Sequence, residues 1–387
     1  MKKTTMIIIC LLFLSVVTSG CWNLKEPNQL AIVIGGGLDA NQDGRLEISS
    51  QIAVPAGLDG GQDTGAGKNR SFVVVSATGK DFMDAGQNLQ TQLSRTLFYA
   101  HRQTILIGQR MAEQGMNRYL DMIIRNPKSE MRSVIWVVKE GTAKDILATE
   151  PVFDPLINTA LGSIQMALGM KPYYYREFLC ESLPKGGAVL LPAISVTPSG
   201  KKFVYSGAAV LDKEHALKLI GFLNPEESYY ANWIKGRQRM LTVSTSEENN
   251  DGGISLRVRP LRRHIQVNKD SQGLHVQIRL YGSGNLVENN TSQDPSRVQD
   301  LQAIENSLSR EAEQAVVKLI LKAQKQYKSD ILGIGELVHH KYPREWKSLQ
   351  KNWNETFSKL SIKAEVHLRY RDPGQTNSSI WASSDGV

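Results

Sequence analysis

Cys21 follows Thr18-Ser19-Gly20 directly, at the end of a strongly apolar run. A thiolate is a nucleophile, and small residues before it suit a peptidase groove. Cleavage between Gly20 and Cys21 would put a sulfur and a new amine on one residue. Other spacings raise other chemistry. Gly60 to Lys68 (GGQDTGAGK) has the composition of a phosphate loop, but Gln62 stands five before Gly67 where glycine is required. Asn69 replaces the magnesium-binding Ser or Thr, and a strand pattern follows where a helix is needed, so a flexible loop is expected. Asp39, Asn41, Asp43 and Gly44 match the start of a calcium loop. The twelfth position is Ser50 rather than a bidentate Glu and the flanks read as strands, which favours a hairpin turn. Glu336 and His339 form Glu-x-x-His, a carboxylate metal-site spacing, but no second copy is present. His339 and His340 are expected instead near the carbonyl end of a helix. The chain holds no His-Glu-x-x-His, Cys-x-x-Cys or Gly-x-Ser-x-Gly. No catalytic residue, metal or cofactor is therefore assigned, and the chain is not read as an enzyme.

The residues that position Cys21 are those of a secretory leader. Lys2 and Lys3 precede an apolar run, Met6 to Leu14, extended by Val16 and Val17. A spanning helix needs about 20 apolar residues, so the segment 1–20 is read as cleaved. The stretch resembles the lipobox of bacterial lipoproteins, with Thr18 where Leu is usual. That resemblance implies an S-diacylglycerol and an N-palmitoyl chain on Cys21. Each buried methylene contributes about 0.8 kcal/mol, so two or three chains hold a protein on a bilayer where one does so only marginally.

Composition sets further bounds. Of 387 residues, 41% are hydrophobic and 22% charged, ordinary for a chain that buries real cores. The formal charge of +8 falls to +6 without Lys2 and Lys3, and the excess is spread out except around Arg257, Arg259, Arg262, Arg263 and His264. Such a balance suits proximity to anionic headgroups, and equally an ordinary, mildly basic soluble surface. No aromatic-plus-basic platform or helix-turn-helix accompanies it, so nucleic acid is not an expected partner. Cys10 leaves with the leader and Cys21 is acylated in this reading. Cys180 alone remains, which rules out an intramolecular disulfide.

The pattern of apolar residues predicts a mixed α/β and α+β chain of three domains. In the first, 21–198, strands at Leu30–Ile34 (ended by Gly35-Gly36-Gly37), Leu46–Val54, Ser71–Ser76, Thr104–Gly108, Ser133–Val138 and Ala188–Ile194 alternate with helices. Those helices are read at Phe82–Leu93, Met111–Ile124, from Thr142 through Leu147, and at Asn158–Met170. Tyr173, Tyr174 and Tyr175 are expected to pack or to contact a protein. A small middle domain, 199–250, holds strands at Phe203–Leu211 and Leu217–Phe222 and a helix capped by Asn224 with Pro225 first. Glu247 to Gly253 reads as a linker. The third domain, 251–373, shows strands at Ile254–Val258, His264–Val267 and Leu274–Tyr281, then a long helix through Leu301, Ile304, Leu308 and Ala312. Asp330 is expected to cap the next helix, and Trp346 and Trp353 to be core. Leu360 to Tyr370 alternates strictly, a half-buried strand with one wet face. An antiparallel sheet with packed long helices is the expected result. The tail, 374–387, is read as disordered.

Several stretches together resemble the Ger(x)C family, lipoprotein C subunits of nutrient germinant receptors in endospore-forming bacteria. They are Cys21-Trp22-Asn23, Leu30–Val33 with Gly37-Leu38-Asp39, Leu97–His101, Arg125-Asn126-Pro127, Leu223–Glu227, and above all YKSDILGIGELVHHKYPREW, Tyr327 to Trp346, followed by Trp353. The resemblance spans essentially the whole mature chain; Asn23 stands where Asp is frequent. It implies an extracytoplasmic protein anchored through Cys21 to the membrane that becomes the spore inner membrane. There it would act with integral membrane A and B subunits in nutrient sensing, without catalysis. A solute-binding lipoprotein that captures the nutrient itself is the alternative, and it requires a deep pocket between two similar lobes. A lipid-anchored cell-wall enzyme is a third reading, opposed by the missing catalytic motifs.

Overall fold

The computed structural model describes residues 26–54, 71–117, 119, 124–125, 130–197, 199, 202–246, 253–271 and 273–372. The leader, the Gly20–Cys21 junction, the glycine-rich loop at 60–68, nearly all of the expected linker and the tail lie outside them.

A nine-stranded mixed sheet is built from β1 (Leu30–Ala40), β2 (Leu46–Ala53), β3 (Phe72–Gly79), β4 (Thr96–Phe98), β5 (Thr104–Gly108), β6 (Val134–Val138), β7 (Ala188–Val196), β8 (Phe203–Asp212) and β9 (Lys218–Leu223). The order is β3-β2-β1-β5-β6-β7-β8-β9, with β4 beside β1. The central β1, β5, β6 and β7 are parallel, and the outer strands fold back antiparallel. β5 and β6 are buried throughout, as parallel strands covered on both faces must be. Side chains alternate between two cores. Ile105, Ile107, Ile135 and Val137 face α1 (Phe82–Gln90), α2 (Gln109–Gln114) and a helix near residue 178. Leu106, Trp136 and Val138 face α3 (Ala143–Leu147) and α4 (Ile157–Ala167). The next helix, α5, spans Tyr175–Ser182.

Two readings of this region change. β1 does not stop at Gly35-Gly36-Gly37 but runs through them to Ala40. A side chain at Gly35 would sit 2.7 Å from the Asn158 amide oxygen, and one at Gly37 would sit 2.9 Å from Ala143. The glycines thus let α3 and α4 lie close on the strand, rather than ending it. The helix expected over Met111–Ile124 is interrupted, because Gly115 takes φ 98° after Gln114.

The second sheet is β10 (Leu241–Ser246), β11 (Gly253–Asp270), β12 (Gly273–Asn289) and β13 (Ser361–Asp372), in that order. β11 merges two predicted strands, with a register shift between Val258 and Leu261 where Pro260 sits. The expected antiparallel arrangement holds for β10, β11 and β12, but β13 is parallel to β12. The reason is the connection. α7 (Val298–Leu321), a π-helical turn (Lys322–Tyr327), α8 (Ile334–Lys341), α9 (Pro343–Leu349) and α10 (Trp353–Lys359) form a long crossover, and a crossover returns the chain in the same direction. β13 is an edge, and α7 covers it. Glu305, Ser309 and Glu313 accept hydrogen bonds from the backbone N–H groups of Tyr370 (2.9 Å), Leu368 (3.0 Å) and Val366 (3.2 Å). Four helical residues rise about 6 Å and two strand residues about 6.6 Å, so the two ladders stay in step. An edge that would otherwise template strand addition is closed.

The residues read as a middle unit, 199–250, contribute to both sheets. β8 and β9 extend the first, and β10 opens the second. The helix between them, α6 (Pro225–Ile234), places Tyr230, Trp233 and Ile234 in a core that also holds Ala188, Leu190, Ala208 and Val210 of β7 and β8. That same core contains Ile304, Leu308, Trp353 and Phe357 from the helical crossover. One hydrophobic core therefore joins the first sheet to the C-terminal helices.

Candidate functional site: a buried carboxylate at the seam

The longest motif, Tyr327 to Trp346, folds around that seam. Asp330 is 3% exposed. One carboxylate oxygen accepts from the backbone N–H groups of Leu332 (3.0 Å), Gly333 (2.9 Å) and Ile334 (3.1 Å). The other accepts from Gly335 N–H (2.7 Å) and Trp353 Nε1–H (3.0 Å). Leu332 and the N-cap Gly333 lead into α8, and Ile334 and Gly335 are its first two residues, so the carboxylate sits at the helix N-terminus, where partial positive charge favours an anion. The backbone carbonyl of Asp330 accepts from Ala188 N–H at 3.0 Å, at the first residue of β7. One residue thus binds the start of α8, the indole of α10 and the first sheet.

The surroundings leave no slack. A Cβ at Gly187 would lie 2.8 Å from the Asp330 carbonyl, one at Gly186 2.9 Å from Trp353 Cβ, and one at Gly335 2.7 Å from Trp353 Nε1. Gly186 and Gly187 also have positive φ, 78° and 74°, a region that glycine enters without strain. Asn354 accepts from Gly187 N–H at 3.0 Å. Trp353 meets Trp346 edge-on at 5.1 Å, and His339 stacks on Trp346 at 5.7 Å. Burial pushes the Lys213 and Lys235 ammonium groups below the usual lysine range, and the Asp330 charge opposes that push. Lys235 pairs with Glu181 of α5 at 3.4 Å, and Arg237 pairs with the same carboxylate. A carboxylate holding five N–H donors has few lone pairs left for a metal or ligand. Its chemistry here is to fix elements in place.

A second motif reaches the same seam. Asn224 accepts from Glu227 N–H at 2.8 Å, and Glu227 accepts from Asn224 N–H at 2.8 Å, a reciprocal cap on α6. Glu227 also takes both its oxygens to Lys322 Nζ (2.8 and 2.7 Å) in the crossover. Tyr327 donates to the Phe222 carbonyl at 2.8 Å and lies where a side chain on Gly221 would have to be.

The other candidate residues are placed apart. Asp39 is 3% exposed and accepts from Ala143 N–H (2.8 Å) and Lys144 N–H (3.2 Å) at the start of α3. Asn41 instead accepts from Asp43 N–H (3.0 Å) and Arg45 N–H (2.8 Å) within the β1–β2 turn. Asp39, Asn41 and Asp43 therefore serve a helix start and a hairpin, not a common cation, and among the described residues no group of three or more His, Cys, Asp or Glu converges on a metal position. Glu336 lies 3.9 Å from His340, one turn on, rather than against His339. Tyr173 and Tyr175 are buried in the first sheet's core, and Cys180 is a free, exposed thiol. The sequence marks Asp330 only as a cap of the next helix; its carboxylate does meet the helix start, but the N-cap residue is Gly333. The tie of Asp330 to β7 and to Trp353 needed three segments far apart in the chain. The Gly186-Gly187 pair was the one local sign of a close approach.

Burial pushes the Asp39 carboxyl up to about 6 against the two backbone hydrogen bonds. A raised folded pKa means the folded state holds the proton longer than the unfolded one, so this residue stabilises below its unfolded pKa and loses that contribution as pH rises through 6. The loss is on the order of 3 kcal/mol, at about 1.4 kcal/mol per pH unit. Urea unfolding between pH 4 and pH 7 should show it, and Asp39→Asn should remove that part of the slope. An unchanged slope in the variant would show that Asp39 is not its source.

A model for the spore germination protein N-terminal domain matches residues 23–196, and a model described as spore germination B3/GerAC like, C-terminal, matches 206–374. The chain belongs to the Ger(x)C family. Among its Bacillus subtilis relatives, spore germination protein YndF is 25% identical over 94% of this chain and 95% of its own length. Spore germination protein KC is 24% identical over 95% of this chain and 96% of its own. The crystal structure of the GerBC protein superposes with a TM-score of 0.56 at 18% identity, covering 88% of this chain and 98% of that one, which supports the mixed α+β fold. The first family segment ends with β7 at Val196 and the second begins inside β8 at Ser206, and the two strands are paired neighbours in the first sheet. The C-terminal segment of this Ger(x)C chain thus completes the N-terminal sheet, and Asp330 bonds across the same boundary.

Proposed function

We propose that this chain is the lipid-anchored, extracytoplasmic subunit of a spore nutrient germinant receptor, working beside integral membrane A and B subunits. The observation that carries the reading is the two-segment family match over nearly the whole chain, with spore germination relatives of matching length. The family is one of germinant receptor subunits and not a known enzyme family. Among the described residues no helix is long and apolar enough to cross a membrane, which suits a peripheral subunit held by Cys21. Confining a folded body beside its partners raises the effective concentration of each contact, to the millimolar range for short tethers. The seam supports the reading too, because a subunit that works through protein contacts needs its surfaces in a constant relation.

Cys21→Ala in the native host tests the proposal. The variant should leave the membrane fraction, and nutrient-triggered germination should be strongly impaired while germination by a route that bypasses nutrient receptors is not. A variant that stays with the membrane and germinates normally would end the tethering role.

A further inference from the structure

The second sheet turns one face to solvent, and its residues fall in register. Arg262 of β11, Tyr281 of β12 and His367 of β13 form one row across the strands, and Ser283 lies opposite Arg369 in a following row. Tyr281 is 40% exposed and stacks on His367 with ring centres 5.2 Å apart. These residues and the N-terminal half of α7 bound a groove of about 620 Å³, with Arg371 at its rim. The carboxylate in its wall, Glu305, accepts the Tyr370 N–H. Arg262, Arg369 and Arg371 have no ion pair among the described residues. Glu365, in the row beyond, pairs with Arg279 at 3.0 Å and lies 3.9 Å from His367.

Like charges gathered on one sheet face repel and lower stability. A groove of this volume with three unpaired guanidinium groups converging on it is arranged for an anion. Guanidinium groups bind phosphate oxygens in pairs, and the Tyr281–His367 stack offers an aromatic floor beside them. We propose that this groove is a binding site for a phosphate-bearing ligand of headgroup size. A phospholipid headgroup and a soluble phosphate ester both supply that chemistry. The groove is lined by residues between Pro260 and Arg371, so it can be tested in a chain that carries no lipid.

Every described core residue lies between Ala31 and Leu368, so a chain of residues 21–387 carrying Cys21→Ser keeps all the cores and has no lipid. Its binding should be measured by sedimentation with vesicles of equimolar phosphatidylglycerol and phosphatidylcholine, against phosphatidylcholine alone, and by calorimetry with glycerol 3-phosphate. Binding is expected in at least one arm, and the arm that responds names the source. Arg262→Gln with Arg369→Gln should weaken it about thirty-fold. Arg95→Gln with Arg110→Gln, the same charge change on the first domain, should leave it within about two-fold, the scatter expected of distant surface changes. Far-UV circular dichroism checks that both variants fold. No binding in either arm, or an equal loss in the two double variants, would overturn the site.

Discussion

Asp330→Ala should cost at least about 3 kcal/mol of folding stability, the range for removing one partner from a buried charged network. The substitution leaves four backbone N–H groups and the Trp353 indole without their acceptor in a closed space. Each buried donor left unpaired costs about 1–3 kcal/mol, less where water can enter. Asp330→Asn is the sharper probe. Its amide oxygen can still accept from Leu332, Gly333 and Ile334, but its NH2 would face the donors of Gly335 and Trp353. A loss intermediate between wild type and Asp330→Ala is expected in urea unfolding. Because Asp330 also joins β7, both sheets should lose protection together in hydrogen exchange. A loss below about 1 kcal/mol for the alanine variant, the level of an ordinary single hydrogen bond, would show that water or another acceptor replaces the carboxylate.

Trp353→Ala should be as damaging, about 3–5 kcal/mol, the usual cost of truncating a large aromatic in a core. The indole is fully buried, meets Trp346 edge-on, and lies against the backbone of Gly186 and Gly335. Trp353→Phe separates packing from hydrogen bonding. It keeps a ring and drops the Nε1–H that reaches Asp330, so a loss of about 1.5–3 kcal/mol is expected for a bond to a charged group. Combined with Asp330→Asn the two losses should fall short of their sum, because both break the same bond. Strict additivity would mean that Trp353 and Asp330 act on the fold separately. In spores, either alanine variant should lower the amount of the subunit and slow the nutrient response in proportion.

The strands that were easiest to read were those whose alternation is set by one wet and one dry face. β13 is the clear case, with Val366 and Leu368 buried and His367 and Arg369 exposed. The caps at Thr142 and Asn224 were legible for a similar reason, since a cap is a contact across three residues. What misled was equally physical. Gly35-Gly36-Gly37 has the composition of a turn, yet the same absence of side chains admits α3 and α4 against β1. The parallel direction of β13 is invisible in its own residues, because alternation is identical in parallel and antiparallel strands. Asp39 was legible as an acidic residue beside a turn, but its partner, the start of α3, is about a hundred residues away.

By itself, the sequence determined the leader pattern ending at Cys21, most of the helices and strands, and the family, because each is carried by neighbouring residues or by a long shared motif. The tertiary structure decided how the two halves are joined. β8 and β9 close the first sheet, and Asp330, Trp353 and the paired glycines meet at its border. The contacts of Gly186, Gly187 and Ala188 with Trp353 and Asp330 depend on hydrogen-bond geometry and shape between segments more than a hundred residues apart, and no local pattern of residue types encodes such distances.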